Sequence, residues 1–226
     1  CAAACSLLGM LRIASMFRAF TWHDAQNSRW WHIAQVGPVA CSLWPRLQVE
    51  SCGDGMPCAR RVAFFPGSTI GNFDPPDAVR LLSRMAEDAG PGGGLLVGVD
   101  APKDPAVLVR AYDDARGVTA AFDLNLLARM NRELGGDFPL AAFRHRAVWE
   151  PVRSRVEMHL EALEPLAVRV AGGTFEFAPG ETLHTESAHK WSGRAFDAIA
   201  LAAGWEPQRT WTDPRGWFAV MLYRAG

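Results

Sequence analysis

Unbroken apolar runs alternate with an amphipathic segment in the middle of this 226-residue chain. Val62-Ala63-Phe64-Phe65 predicts a strand buried on both faces, and residues 95–99 predict a second one. Between them, apolar residues at helical spacing and Pro75-Pro76 at the entry predict a helix over 77–89. The glycines at 90–94 end this helix, because glycine adopts the positive φ that a tight reversal needs. A strand, a helix and a strand in this order predict a parallel pair with a right-handed crossover.

A mixed pattern follows this unit. Residues 104–115 and 118–134 have the spacing of helices, whereas apolar and polar residues alternate over 155–160 and predict a strand with one buried face. Apolar positions at 166–170 and at Phe175 and Phe177 flank Gly172-Gly173, which predicts a hairpin. Antiparallel strands placed after a parallel unit suggest a separate subdomain.

The two ends of the chain differ in how well their elements can be predicted. A helix over 193–203 and paired strands over 205–212 and 217–224 return the chain to the first sheet. Residues 1–59 show no sustained period, and they support only a short helix near 7–20 and a strand near 46–49. We therefore predict an α/β fold in which a partial sheet from 60–101 and 193–226 carries an inserted α+β subdomain at 102–192.

Composition favours small-molecule chemistry. The formal net charge of −1 provides no basic field that would attract nucleic acid or an anionic membrane. The five cysteines are odd in number and form no CxxC pair, which favours a reducing cytoplasm over a secreted, disulfide-rich domain. The apolar start is interrupted by Arg12 and is shorter than the ~20 residues of a membrane helix. We expect a cytoplasmic monomer with a small-molecule partner and no nucleic-acid or membrane partner.

The loop at 67–73 is the first candidate for ligand binding. It follows a buried strand, and open α/β sheets bind ligands beyond the carboxyl ends of their strands. Gly67 and Gly71 allow the backbone to approach a ligand closely, and Asn72 offers donors and an acceptor for an amino acid's ammonium and carboxylate. A polar turn in which Asn72 caps the backbone is the alternative, and composition alone favours it.

The segment at 184–189 is the second candidate. His184, Glu186 and His189 are of the types that bind zinc, but no further ligand has supporting spacing, and alternate residues of an extended chain point to opposite faces. We therefore expect no metal site. Glu186 is better suited to hold a cationic or N–H-bearing ring, with a surface salt bridge as the alternative.

Six segments together resemble the S-adenosylmethionine-dependent histidine Nα-methyltransferase family of ergothioneine biosynthesis. The first is Phe-Phe-Pro-Gly-Ser-Thr-Ile-Gly-Asn-Phe at 64–73. The others lie at 111–122, 125–138, 155–160, 180–187 and 211–213. Each segment alone is weakly specific, but their number, order and spacing make the resemblance specific from residue 60 to the end.

The resemblance implies a partial class I, Rossmann-like methyltransferase sheet with an inserted substrate-binding subdomain. It also implies transfer of three methyl groups from S-adenosylmethionine to the α-nitrogen of histidine, which gives hercynine. At matching positions, Asn72 and Tyr112 would hold the amino and carboxylate groups of the substrate. Glu186 would bind the imidazole, and Met158 would shape its pocket. No residue is assigned as a catalytic base.

Two departures from the family pattern open alternatives. Ala188 stands where the family commonly has serine, so a hydroxyl for the imidazole is missing and a tryptophan-type substrate becomes an alternative. Ser187 could substitute, although an extended backbone points it the other way. The Gly-rich cofactor loop is not found in 1–59, which looks truncated or altered; Gly67 and Asp54 remain as candidate cofactor contacts. An inactive remnant that only binds an amino acid is the further alternative.

Overall fold

The computed structural model describes residues 61–226 in full and, before them, the backbone of two strands, β1 (Phe20–Asp24) and β2 (Arg29–Ile33). These strands pair in antiparallel register, with Trp22 opposite Trp31. The strand predicted near 46–49 and the candidate Asp54 lie outside the described residues. So does the helix predicted near 7–20, apart from Phe20, which begins β1.

The other elements follow in chain order. The strands are β3 (Val62–Phe65), β4 (Gly94–Asp100), β5 (Phe143–Glu150), β6 (Arg155–Ala162), β7 (Leu166–Val170), β8 (Gly173–Phe177), β9 (Thr182–His189), β10 (Trp205–Thr212) and β11 (Phe218–Ala225). The helices are α1 (Pro75–Ala89), α2 (Pro105–Tyr112), α3 (Val118–Leu134) and α4 (Gly193–Ala202). Short 3₁₀ turns lie at Thr69–Asn72 and Leu140–Ala142.

The described residues form two compact units. The sheet unit contains residues 61–117, Ala147–Met158 and Glu186–Gly226, and the insert unit contains β1, β2, Val118–Arg146 and His159–Thr185. A separate three-stranded sheet has the order β5-β6-β9. The assignment of 102–192 as a substrate-binding subdomain remains a prediction.

A four-stranded sheet in the order β10-β11-β4-β3 organises the sheet unit. Strands β3 and β4 are parallel and α1 connects them, whereas β11 runs antiparallel to both β4 and β10. This arrangement confirms the predicted α/β class, because the strand–helix–strand unit and the closing pair of strands both form. One face of α1 is buried through Ala78, Leu81, Leu82, Met85 and Ala89.

The insert unit has its own apolar core. Leu127 and Met130 of α3 are buried in a cluster with Phe143, Leu160 and Phe177. The hairpin of β7 and β8 is confirmed, but its turn is one residue earlier than predicted, at 171–172 instead of 172–173. Both turn residues have positive φ, 50° and 79°, which suits the twist of a two-residue hairpin loop.

Strand β5 is not among the elements predicted from the sequence. Its burial alternates poorly, because only Phe143 and Ala147 are buried and the last three residues are half-exposed. A strand without a clear period of two gives a weak signal in the sequence.

Within the described part of the chain, no helix combines the length and the apolarity needed to cross a bilayer.

Candidate functional site

The loop after β3 packs directly on the end of β9. Gly67 and Ser68 have left-handed backbones, with φ of 77° and 58°, and they turn the chain into the 3₁₀ segment that ends at Asn72. Gly71 is buried, and a Cβ added there would lie 2.7 Å from the carbonyl oxygen of His189. The glycine therefore permits a backbone contact that brings the turn carrying the exposed Asn72 against β9.

Asp74 reinforces this contact with charge. Its Oδ1 accepts a hydrogen bond of 3.1 Å from the Arg155 guanidinium and lies 3.1 Å from Nε2 of His189. Arg155, which begins β6, also donates to Glu157 at 2.8 Å, so two carboxylates neutralise a buried guanidinium. Asp74 is the N-cap residue of α1, but its side chain makes no cap hydrogen bond. Its carboxylate instead ties the Asn72 loop to β6 and β9.

Tyr112, the last residue of α2, is held by a lysine. The Lys190 ammonium donates to the Tyr112 hydroxyl at 2.7 Å and lies 4.6 Å from the ring centroid. The same ammonium is 3.0 Å from Oδ2 of Asp100, and the Lys190 side chain is only 2% exposed. A lysine is rarely so buried unless it is paired, as it is here.

Asp100 connects three segments at the carboxyl end of β4. Its backbone N–H donates to the Ser68 hydroxyl at 2.9 Å, and its carbonyl accepts from the N–H of Trp191 at 2.9 Å. Its carboxylate binds Lys103 at 2.5 Å in addition to Lys190. The loop after β3, the end of β4, the end of α2 and the residues after β9 therefore meet at one edge of the sheet, where open α/β sheets bind ligands.

The remaining candidates lie on adjacent strands. Met158 of β6 and Ala188 of β9 are both buried, at 4% and 3% exposure. Glu186 and Ser187 are half-buried in β9, where successive side chains point to opposite faces, so Glu186 shares its face with Ala188. An added Cβ at Gly67 would meet no atom within 4 Å, so open space lies beside this residue.

A cleft of about 720 Å³ lies beside the Asp74 network. Its lining includes Asp74, Pro75, Arg153, His189 and Trp191, and the His189 and Trp191 rings stack with centroids 5.2 Å apart. The start of α1 is a poor anion site, because its first two residues are prolines without N–H groups. The next two N–H groups already bond to the Asp74 carbonyl at 2.9 Å.

Two of the segments that carry the resemblance stabilise the scaffold. Asp213 accepts from the N–H groups of Trp217 and Phe218, at 2.6 and 2.8 Å, and shapes the turn from β10 to β11. Hydrogen bonds from the backbone N–H groups of Phe218 and Arg215 hold the pKa of the Asp213 carboxyl below its usual range. In the insert unit, the Asn131 amide bonds to both the N–H and the carbonyl of Phe138, at 2.8 and 2.9 Å.

Comparison with known proteins agrees with the resemblance. Residues 48–225 match the family described as histidine-specific methyltransferase, SAM-dependent. The chain is similar to the histidine N-alpha-methyltransferase of Mycolicibacterium smegmatis, with 40% identity over 226 residues, which is 96% of this chain and 70% of that protein.

Two further relatives cover less of their own length. The histidine N-alpha-methyltransferase of Mycobacterium tuberculosis is 45% identical over 165 residues, which is 72% of this chain and 51% of that protein. Ergothioneine biosynthesis protein 1 of Neurospora crassa is 36% identical over 106 residues, which is 41% of this chain and 12% of that protein. The chain thus spans between about half and seven-tenths of the bacterial relatives.

Proposed function

The chain belongs to the histidine-specific, S-adenosylmethionine-dependent methyltransferase family, and from this premise we propose that it methylates the α-nitrogen of histidine. Three successive transfers give Nα,Nα,Nα-trimethylhistidine, hercynine, in the first step of ergothioneine biosynthesis. A cytoplasmic monomer that takes a small-molecule substrate is part of the same proposal.

The observation that carries this proposal is the meeting of segments at the carboxyl edge of the parallel pair. Gly71 packs the Asn72 turn on the end of β9, and Lys190, which follows β9, holds the Tyr112 hydroxyl at 2.7 Å. We assign the substrate's amino and carboxylate groups to Asn72 and Tyr112. We assign the imidazole to Glu186, and the walls of its pocket to Met158 and Ala188. Ser187, the other candidate, lies on the opposite face of β9 and is therefore left out of this pocket.

These groups suit transfer to nitrogen. S-adenosylmethionine, when bound, supplies an electrophilic methyl group on a sulfonium. The protein then has to orient a neutral amine in line with that carbon, and such positioning contributes several kcal/mol. Each added methyl group removes an N–H donor from the substrate. The amino acid must therefore be held through its carboxylate and its ring, which do not change, and Tyr112 and Glu186 supply those contacts.

The open space beside Gly67 fits a cofactor placed at the end of β3. Its φ of 77° and the absence of a side chain allow a ligand to approach the backbone. We propose that Gly67 borders S-adenosylmethionine there and that Asp54, outside the described residues, accepts from the adenine amino group.

Mass spectrometry of histidine incubated with S-adenosylmethionine and the chain tests the proposal. We expect products heavier by one, two and three CH₂ units on histidine and a strongly reduced yield for Asn72→Ala, whose side chain is exposed. Calorimetry with histidine and with S-adenosylmethionine provides the second measurement. A wild-type chain that binds neither compound and makes no product would contradict the proposal, whereas binding of histidine alone would indicate an amino-acid-binding remnant.

Ala188 favours a second candidate substrate. It is 3% exposed and offers no hydroxyl to an imidazole nitrogen, so its side of the pocket suits the larger apolar ring of tryptophan. Competition between histidine and tryptophan in one reaction decides between them. Under the histidine proposal, Ala188→Ser should shift the product ratio further towards methylated histidine. A shift towards tryptophan products, or tryptophan products alone from the wild type, would favour the indole substrate.

A further inference from the structure

The ammonium of Lys190 lies where the proposed carboxylate contact is made. Its side chain is 2% exposed, and its charge meets both the Asp100 carboxylate and the Tyr112 hydroxyl. We propose that Lys190 is a positioning residue, which fixes and polarises Tyr112 for binding the substrate's carboxylate. This inference rests on the proposed function, since it assigns a task to a neighbour of the same site.

Lys190 fixes the position of the Tyr112 side chain. Tyr112 is the last residue of α2, and its half-buried ring packs against the cluster of Leu108, Ala147 and Val156. Lys190 contacts it at two points, through the hydroxyl at 2.7 Å and through the ring face, with the ammonium 4.6 Å from the centroid. A hydrogen bond and a cation–π contact together restrict both torsions of the tyrosine side chain.

The charge of Lys190 also acts on the Tyr112 hydroxyl. An ammonium group has donors only, so the Tyr112 oxygen must accept in this bond, and its own proton points away from Lys190. Donation from a charged group also polarises the phenol and makes its O–H a stronger donor to a carboxylate. The positive charge of Lys190 favours an anionic group in the same region.

Asp100 binds a second lysine besides Lys190. Its carboxylate lies 3.0 Å from Lys190 through one oxygen and 2.5 Å from Lys103 through the other. If Lys190 is replaced by methionine, Asp100, whose side chain is 21% exposed, therefore keeps a cation, and its carboxylate is not left without a partner. The fold should tolerate the change, which separates a positioning role from a purely structural one. Lys103→Met is the matched control, because it removes the other lysine of the same carboxylate.

The experiment combines binding, kinetics and a double-mutant cycle. For Lys190→Met we expect the Kd and the KM for histidine to rise roughly ten- to hundredfold, the effect of losing a charged hydrogen bond. We expect kcat at saturating histidine to change much less. Lys103→Met should keep the Kd close to that of the wild type. In a Tyr112→Phe background, Lys190→Met should have little further effect, because the two residues act as a unit.

Several outcomes would overturn the inference. Unchanged histidine affinity in Lys190→Met would do so, and so would effects that add fully to those of Tyr112→Phe. Circular dichroism and urea unfolding verify that each variant folds; if Lys190→Met does not, Lys190→Gln replaces it, with a smaller expected loss of affinity. A wild-type chain that neither binds nor methylates histidine overturns the proposed function and this inference with it. Histidine binding that does not depend on Lys190 overturns the inference alone.

Discussion

Gly71→Ala tests whether the Asn72 turn depends on the backbone contact with β9. The new Cβ would lie 2.7 Å from the carbonyl oxygen and 3.5 Å from the nitrogen of His189. The carbonyl belongs to a strand, so it cannot rotate away as a flexible side chain would. The Asp74–His189 contact of 3.1 Å also holds the two segments together. Either the turn or the end of β9 must move.

The cost of this movement is that of over-packing a buried site, about 1–3 kcal/mol. With a urea m-value of about 2 kcal/mol/M, the midpoint of unfolding should fall by roughly 0.5–1.5 M. Because Asn72 follows Gly71 directly, the displaced turn should also weaken histidine binding. Urea unfolding followed by tryptophan fluorescence measures the first effect, and calorimetry with histidine measures the second.

Two other glycines serve as controls. Gly193, the first residue of α4, has no atom within 4 Å of an added Cβ, so Gly193→Ala should be neutral or more stable by about 0.4–1 kcal/mol. Gly67 is equally open but has a φ of 77°, so Gly67→Ala should cost about 1–2 kcal/mol through backbone strain alone. If Gly71→Ala unfolds at the wild-type midpoint and binds histidine as tightly as the wild type, the reasoning about this contact is wrong.

Three further predictions concern the scaffold. Hydrogen bonds lower the pKa of the Asp213 carboxyl in the folded protein. The ionised carboxyl therefore contributes to the free energy of unfolding above its unfolded pKa of about 3.9, and this contribution is lost as the pH falls through the pKa of the folded state. Asp213→Asn should therefore lower the urea midpoint at pH 7, and this difference should narrow in acid; a constant difference would contradict it. Burial and the Asp197 hydrogen bond raise the pKa of Tyr223 far above its usual value. The protonated Tyr223 therefore contributes to the free energy of unfolding below about pH 10, and this contribution is lost as the pH rises through the pKa of the folded state. In Tyr112→Phe, where Tyr223 is the last tyrosine of the sequence, tyrosinate absorbance should appear only on unfolding, and ionisation near pH 10 in the folded protein would refute this. Trp205→Phe removes the indole bond of 2.9 Å to the Leu82 carbonyl, so the melting midpoint should fall, with a cost of about 1–3 kcal/mol; an unchanged midpoint would show that this bond contributes little.

The sequence by itself determined the family and the local elements. The apolar run at Val62–Phe65, the helical spacing of α1 and the second buried strand are properties of neighbouring residues, and the parallel pair of β3 and β4 confirms both strands. The prediction that β3 is buried on both faces is wrong, because Val62 and Phe64 are 57% and 67% exposed on one face of this strand. The family resemblance, which the match over 48–225 confirms, depends on short segments in a fixed order. Residue type and position made Asn72 and Glu186 candidates, whereas the role of Tyr112 and the assignment of all three to groups of histidine came from that resemblance; these roles remain predictions.

The neighbours of those residues were decided by the tertiary structure alone. No periodicity in the sequence marks Lys190 as buried. Nothing in the sequence around Asp74 indicates that its carboxylate would contact Arg155 instead of capping α1. The partners of these bonds are 78 and 81 residues apart in the chain. Hydrophobic periodicity predicts which face of an element is buried, because burial is repeated along the element. It does not predict which single charge meets which, because that depends on how distant segments pack.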